Sequence, residues 1–206
     1  MKTPLALAAA LLALSGVPQT EQADVDAEGF IRDWLVLGLI RCEADGSGAD
    51  EIVKEQIKDE GKLRPKAGEK VSVRGKELEW KKARAAAYYF DFNVWLKKPE
   101  DQKEENVIAY LCCTIVAGEE MKGLEARMGS NDQGRLYLNG KELLKFTEGR
   151  TIDKDSDVAK DVTLVKGENA VVFKVINESN NWQGCLRFTD KSGAPVKNVK
   201  VSLASK

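Results

Sequence analysis

GSNDQGRLYLNGKEL, residues Gly129 to Leu143, sets two turn-rich clusters around one short apolar strand, and its second half decides the fold class. Asn139-Gly140 stands between Leu136-Tyr137-Leu138 and Leu143-Leu144. This pair tolerates the positive φ that a two-residue hairpin turn demands, so the flanking runs are predicted to fold back as antiparallel strands. The first half is richer than a plain connection requires. Gly129, Ser130, Asn131, Asp132 and Gly134 put side-chain oxygens and open backbone at one rim of the sheet. They form either a tight turn whose Asn and Asp satisfy their own backbone, or part of a rim site.

Outward from this hairpin the strand pattern continues. Trp34 to Ile40 (WLVLGLI) and Asn106 to Ala117 (NVIAYLCCTIVA) are nearly continuous apolar runs, as expected of strands covered on both faces. Further strands are predicted at Leu124 to Met128, Arg135 to Leu138, Glu142 to Phe146, Asp161 to Val165, Ala170 to Ile176, Cys185 to Thr189 and Val199 to Leu203, and around Leu78-Glu79-Trp80. Turn-forming clusters separate them, Gly129 to Gly134 among these. Alternation places Leu186 and Phe188 on one face and Arg187 on the other. Many strands at short spacing argue for an all-β, antiparallel β-sandwich rather than a βαβ fold. One amphipathic segment interrupts the series. Asp50 to Glu60 (DEIVKEQIKDE) places Ile52, Val53, Gln56 and Ile57 on one side, which predicts a short accessory helix covering a sheet end.

The N-terminus has a different character. Lys2 precedes the apolar run Leu5 to Leu14 (LALAAALLAL), and a polar segment follows, the layout of a secretory signal peptide. The run is too short to span a bilayer as a helix. Residues 1–23 are therefore read as a signal peptide cleaved between Ser15 and Ala23, and residues 24–206 as a single domain that is secreted or periplasmic. That length can bury a full core. Lys and Arg number 32 against 33 Asp and Glu. With charge so balanced there is no net field to attract nucleic acid or an anionic membrane. The mixed run KKPEDQKEE, Lys97 to Glu105, reads as a solvated loop.

Composition excludes much chemistry. The chain has no histidine, so Ser-His-Asp and Cys-His machinery is impossible. A glycosidase needs only two carboxylates, so acid content alone does not remove a hydrolase, but no pair sits in a catalytic motif. No phosphate-binding loop is present. Zinc is disfavoured by the lack of both histidine and a CxxC pair. Cys42, Cys112, Cys113 and Cys185 allow three pairings. A single bridge, Cys42 to Cys185 or Cys185 to Cys112, stands beside the alternative of buried free thiols. Cys112 and Cys113 must point to opposite faces of their strand.

A sugar offers flat C–H faces to an aromatic ring and hydroxyls to planar polar groups. The best matching cluster is Asn177 to Gln183 (NESNNWQ), where Trp182 ends a polar loop carrying Asn180, Asn181 and Gln183. Trp182 either stands exposed at the rim or folds inward as a strand-end core residue. Trp34 and Trp80 read as core. Trp95, beside Tyr88, Tyr89, Phe90 and Phe92, fits core and rim equally.

Four blocks carry a resemblance: FIRDWLVLGLI (Phe30 to Ile40), GSNDQGRLYLNGKEL (Gly129 to Leu143), VKGENAVVFKV (Val165 to Val175) and WQGCLRFTDKSGAPV (Trp182 to Val196). In this order the chain resembles the galactose-binding-domain-like jelly rolls, the sugar-binding domains of family 2 glycoside hydrolases and related secreted bacterial proteins. The resemblance implies a non-catalytic module. It binds a polysaccharide or other glycan through loops at one rim, or it serves as a structural or protein-assembly domain without a sugar site. A secreted glycoside hydrolase is the protein partner it would admit. The implied ligand-binding residues are Trp182, Asn180, Asn181, Gln183, Asn131 and Asp132. The family block commonly reads Gly-Ser-Asp-Asp-Gly; here Asn131 replaces the first aspartate and Gln133 is inserted before Gly134. An acidic pair would hold calcium, and this exchange leaves at most a weak structural calcium site, with no other cofactor implied.

Overall fold

The computed structural model describes residues 22–204, so the signal segment lies, apart from Gln22 and Ala23, outside the described residues. The strands among them are β1 (Gln22–Asp24), β2 (Asp33–Arg41), β3 (Lys70–Val73), β4 (Lys76–Glu79), β5 (Lys81–Arg84), β6 (Phe90–Asp91), β7 (Val107–Ala117), β8 (Met121–Asn131), β9 (Gly134–Leu138), β10 (Lys141–Phe146), β11 (Asp157–Leu164), β12 (Gly167–Asn177), β13 (Gln183–Thr189) and β14 (Val199–Ser202). The helices are short: α1 (Gly48–Val53) and α2 (Phe92–Trp95).

The larger sheet runs β1-β14-β7-β12-β9-β10, with β2 also pairing β7 and β5 pairing β2; the smaller runs β11-β8-β13-β6. Every pairing is antiparallel. The chain is thus the antiparallel β-sandwich that the strand pattern and the resemblance both imply. Between the sheets lie alternate residues of β7 (Val107, Ala109, Leu111, Cys113, Ile115) and of β12 (Val171, Phe173, Val175), facing Ala126, Met128, Leu186 and Phe188. Arg187 turns outward to Asp155, at 2.9 Å from Nε, as alternation requires.

β7 reads as unbroken apolar sequence because its other face is covered as well. Ile108, Tyr110 and Cys112 pack with Leu35, Leu37 and Val172 under a third layer supplied by Ile52, Trp80 and the β3–β4 hairpin residues Val73 and Leu78. This layer is held by charge as well as by apolar contact. Glu60, wholly buried, accepts from Tyr110 (2.6 Å), Tyr137 (2.8 Å), Arg135 (3.2 Å) and Lys174 (3.4 Å). Such a carboxylate is tolerable in the interior only because its lone pairs are filled by donors, two of them cationic.

The structure differs from the sequence expectations in three places. The helix expected over Asp50 to Glu60 stops at Val53, and Lys54 is already extended. Its Ile52 and Lys54 carbonyls accept from the Lys174 ammonium instead of from later turns of helix. A second helix, α2, joins the one expected. Gly129, Ser130 and Asn131, expected as turn, continue β8 and pair with β13. The reason is close packing, since a Cβ on Gly129 would stand 2.2 Å from the Asp153 carbonyl oxygen. Of the two cysteine alternatives the structure takes free thiols at all four positions. Both envisaged bridges use Cys185, which by alternation from Leu186 faces away from the core of the smaller sheet, whereas Cys42 and Cys112 pack in the layer outside the larger one. The Asn139-Gly140 turn is as expected, with φ of 51° and 84° and Leu138 paired to Lys141.

Candidate functional site

Pairing of β8 with β13 sets Gln183 opposite Asn131 and brings both predicted clusters to one rim. Asp132 is 9% exposed, and its carboxylate is used by the backbone: Oδ1 accepts from Arg150 N at 3.1 Å and Oδ2 from Glu178 N at 2.8 Å. With its amide nitrogen turned to donate, Asn131 bonds the carbonyls of Arg150 (3.1 Å) and Asn181 (2.7 Å). Arg150 in turn donates to the Ser130 carbonyl at 3.1 Å and hydroxyl at 2.8 Å, and pairs with Asp157. The Ser-Asn-Asp run is therefore a staple that ties three loops together. Two buried oxygens there, Gln133 Oε1 and Asn177 Oδ1, have no partner. A cation at this rim would find Asp132 already committed to two N–H donors, and no cluster of three or more Asp, Glu, Cys or His suited to a metal occurs among the described residues.

Trp182 takes the packing alternative. Its indole is fully buried, stacks on Phe92 at 4.5 Å and 22°, and donates to the Val175 carbonyl at 3.3 Å. It offers no face to a ligand. Asn180 and Asn181 are exposed, but Asn180 O accepts from Asn93 (3.2 Å) and Asn181 Oδ1 from Lys103 (2.9 Å). Gln183 is 7% exposed and donates to Asp91 Oδ2 at 2.9 Å.

These contacts hold up a neighbouring surface. Asp91 Oδ1 accepts from Val94 N at 3.0 Å and so caps α2, the one-turn helix that carries Trp95. Ring contacts lead outward from the core, Trp182 on Phe92, Phe92 on Phe90 at 5.0 Å, and Phe90 on Trp95 at 6.3 Å. At the end of that series lies an open groove of about 340 Å³ between β5 and α2, with Lys82, Arg84, Tyr89, Asp91, Val94 and Trp95 in its walls. Tyr89 and Trp95 are half-buried there and Val94 is 67% exposed. Trp95 also belongs to the wall of a second hollow of about 560 Å³, with Lys70, Glu77, Glu79, Lys81 and Leu96. A third, between β1–β14 and β2–β5, has Asp33 and Arg84 in its walls and no aromatic ring.

The groove thus combines rings held from behind with planar polar groups at the edge, which is the chemistry a sugar needs. Sequence reasoning placed that chemistry on Trp182 and left Trp95 open. The signal available was the density of rings in Tyr88-Tyr89-Phe90-Asp91-Phe92, too many to be buried together beside one acid.

No protein-family model matches the chain, and no curated protein matches it. Among solved structures it is similar to a PA14 sugar-binding domain from an RTX adhesin (TM-score 0.45, 12% identity, covering 84% of this chain and 100% of that one). It is also similar to an uncultured Clostridium sp. β-glucuronidase (TM-score 0.44, 12% identity, 88% of this chain and 31% of that one). A third is the PA14 domain of the MpAFP antifreeze protein (TM-score 0.41, 9% identity, 94% and 100%).

Proposed function

We propose that the chain is a secreted, non-catalytic carbohydrate-binding module whose site is the groove between β5 and α2. The observation that carries this reading is the pair of half-buried rings, Tyr89 and Trp95, in an open groove with Asp91 at its wall. An aromatic ring has a negative face that attracts the polarised C–H bonds of a pyranose. The Asp91 oxygens, each already accepting one N–H, have a further lone pair for a hydroxyl, and Arg84 keeps guanidinium N–H groups beyond its pair with Asp33. Binding would proceed by stacking and hydrogen bonding without turnover, and the lack of histidine supports the non-catalytic part. Secretion rests on the N-terminal sequence. Of the two cleavage positions, Ala23 lies within β1, paired to Val201, so removal at Ser15 leaves that strand whole.

A glycan array probed with and without calcium tests the reading, followed by the Trp95→Ala variant on any sugar retained. Binding that disappears in a variant with an unchanged melting temperature supports it. Equal binding by Trp95→Ala moves the site elsewhere. No glycan retained favours the structural or assembly role, which the internal use of Trp182, Asp132 and Gln183 also suits. Appearance of cleaved glycan would instead support a hydrolase.

A further inference from the structure

Trp95 belongs to the walls of two hollows at once. Lys82 and Asp91 share one of these hollows with Trp95, and Lys81 and Glu79 share the other, so a ligand stacked on this ring has space to continue into either. A site for a terminal sugar would be closed beyond the ring. Charge along the two hollows is also balanced. Their walls hold Lys70, Lys81, Lys82 and Arg84 with Glu77, Glu79 and Asp91, and Arg84 is neutralised by its pair with Asp33, which lies outside both hollows. Lys70 is bound to Glu77 at 2.8 Å. A site for a uronic-acid or sulfated polymer needs a surplus of positive potential, which this arrangement does not provide.

Resting on the carbohydrate reading above, we infer that the ligand is an internal stretch of a neutral, flat-ribbon polysaccharide lying across Trp95 with sugar residues in both hollows. Flatness follows from the two hollows sharing one ring: a chain linked through equatorial positions stays extended, so one residue can stack on Trp95 while its neighbours reach both hollows, whereas an axially linked chain curls away. The edge polar groups Asp91 and Glu79 then meet hydroxyls on either side of the stacked unit.

The test is calorimetric titration of the full chain with neutral β-1,4-linked gluco-, xylo- and manno-oligosaccharides of one to six units, beside polygalacturonate as the anionic polymer. The inference predicts that affinity in one neutral series rises at least about tenfold from dimer to hexamer. It also predicts that Glu79→Ala removes that rise while leaving dimer affinity in place, and that polygalacturonate binds more weakly than the hexamer. A monosaccharide bound as tightly as the hexamer, or preferential binding of polygalacturonate, would overturn the inference and leave the carbohydrate reading intact. If none of these sugars nor any other glycan binds, both fail.

Discussion

Two tryptophans that the sequence leaves open between core and rim do different work. Trp182 is a core residue whose stacking on Phe92 props the helix carrying Trp95. Trp182→Ala should cost about 3 to 5 kcal/mol in chemical denaturation, from lost burial and a cavity. Trp95→Ala should cost far less stability and abolish glycan binding. Asp132 fills two backbone N–H groups of other loops. Asp132→Ala should cost about 1 to 3 kcal/mol, with faster hydrogen exchange at the Arg150 and Glu178 amides in particular. Slow exchange persisting at both would show that the staple is dispensable. The sequence displayed the residue types for a sugar site but not which tryptophan is exposed. A ring before a strand faces in or out according to what packs on it, and Phe92, 90 positions away, is invisible to local pattern.

Strands were the most legible elements, because alternation and turn chemistry are local. The ten strands read from Trp34 to Leu203 all exist, with ends moved by a few residues. Less legible were the short pieces β1, β3, β5 and β6 and the layer from Gly48 to Lys62, whose form depends on distant partners. Lys174 is the case in point: mid-strand on β12, it draws the carbonyls of Ile52 and Lys54 and so ends α1. The partner that makes this possible is Glu60. Removing it by Glu60→Ala takes the acceptor from two tyrosine hydroxyls and the buried counter-charge from Lys174, for an expected loss of about 3 to 5 kcal/mol by urea denaturation. A loss under about 1 kcal/mol would mean that this layer contributes little to the stability of the larger sheet.

Across the whole molecule, alkaline pH sets buried groups against one another. Burial raises the thiols, Cys42 to about 11 and Cys185 to about 12, with Cys112 and Cys113 also raised. Thiols in the unfolded chain ionise near pH 8.5 to 9, so above that pH the unfolded state binds fewer protons and stability falls. Lys174 acts oppositely. Burial lowers it to about 8 against the pull of Glu60, so between about pH 8 and 10.5 the unfolded chain holds the extra proton and this one group adds stability as pH rises. Four thiols outweigh one lysine, and the urea midpoint should drop from pH 8 to pH 10. Lys174→Met should make that drop steeper; a shallower one would reverse the sign assigned to the lysine.

The pairing of β14 sets the order in which the molecule can be completed. The last strand, Val199–Ser202, lies between β1 and the end of β7 and is the only described strand joined to β1. A chain emerging N-terminus first therefore carries β1 without its strand partner until β14 has been made. Most of its contacts are likewise between segments far apart in sequence, a topology that folds slowly. Closure of the larger sheet at this edge is thus among the last pairings the chain can make.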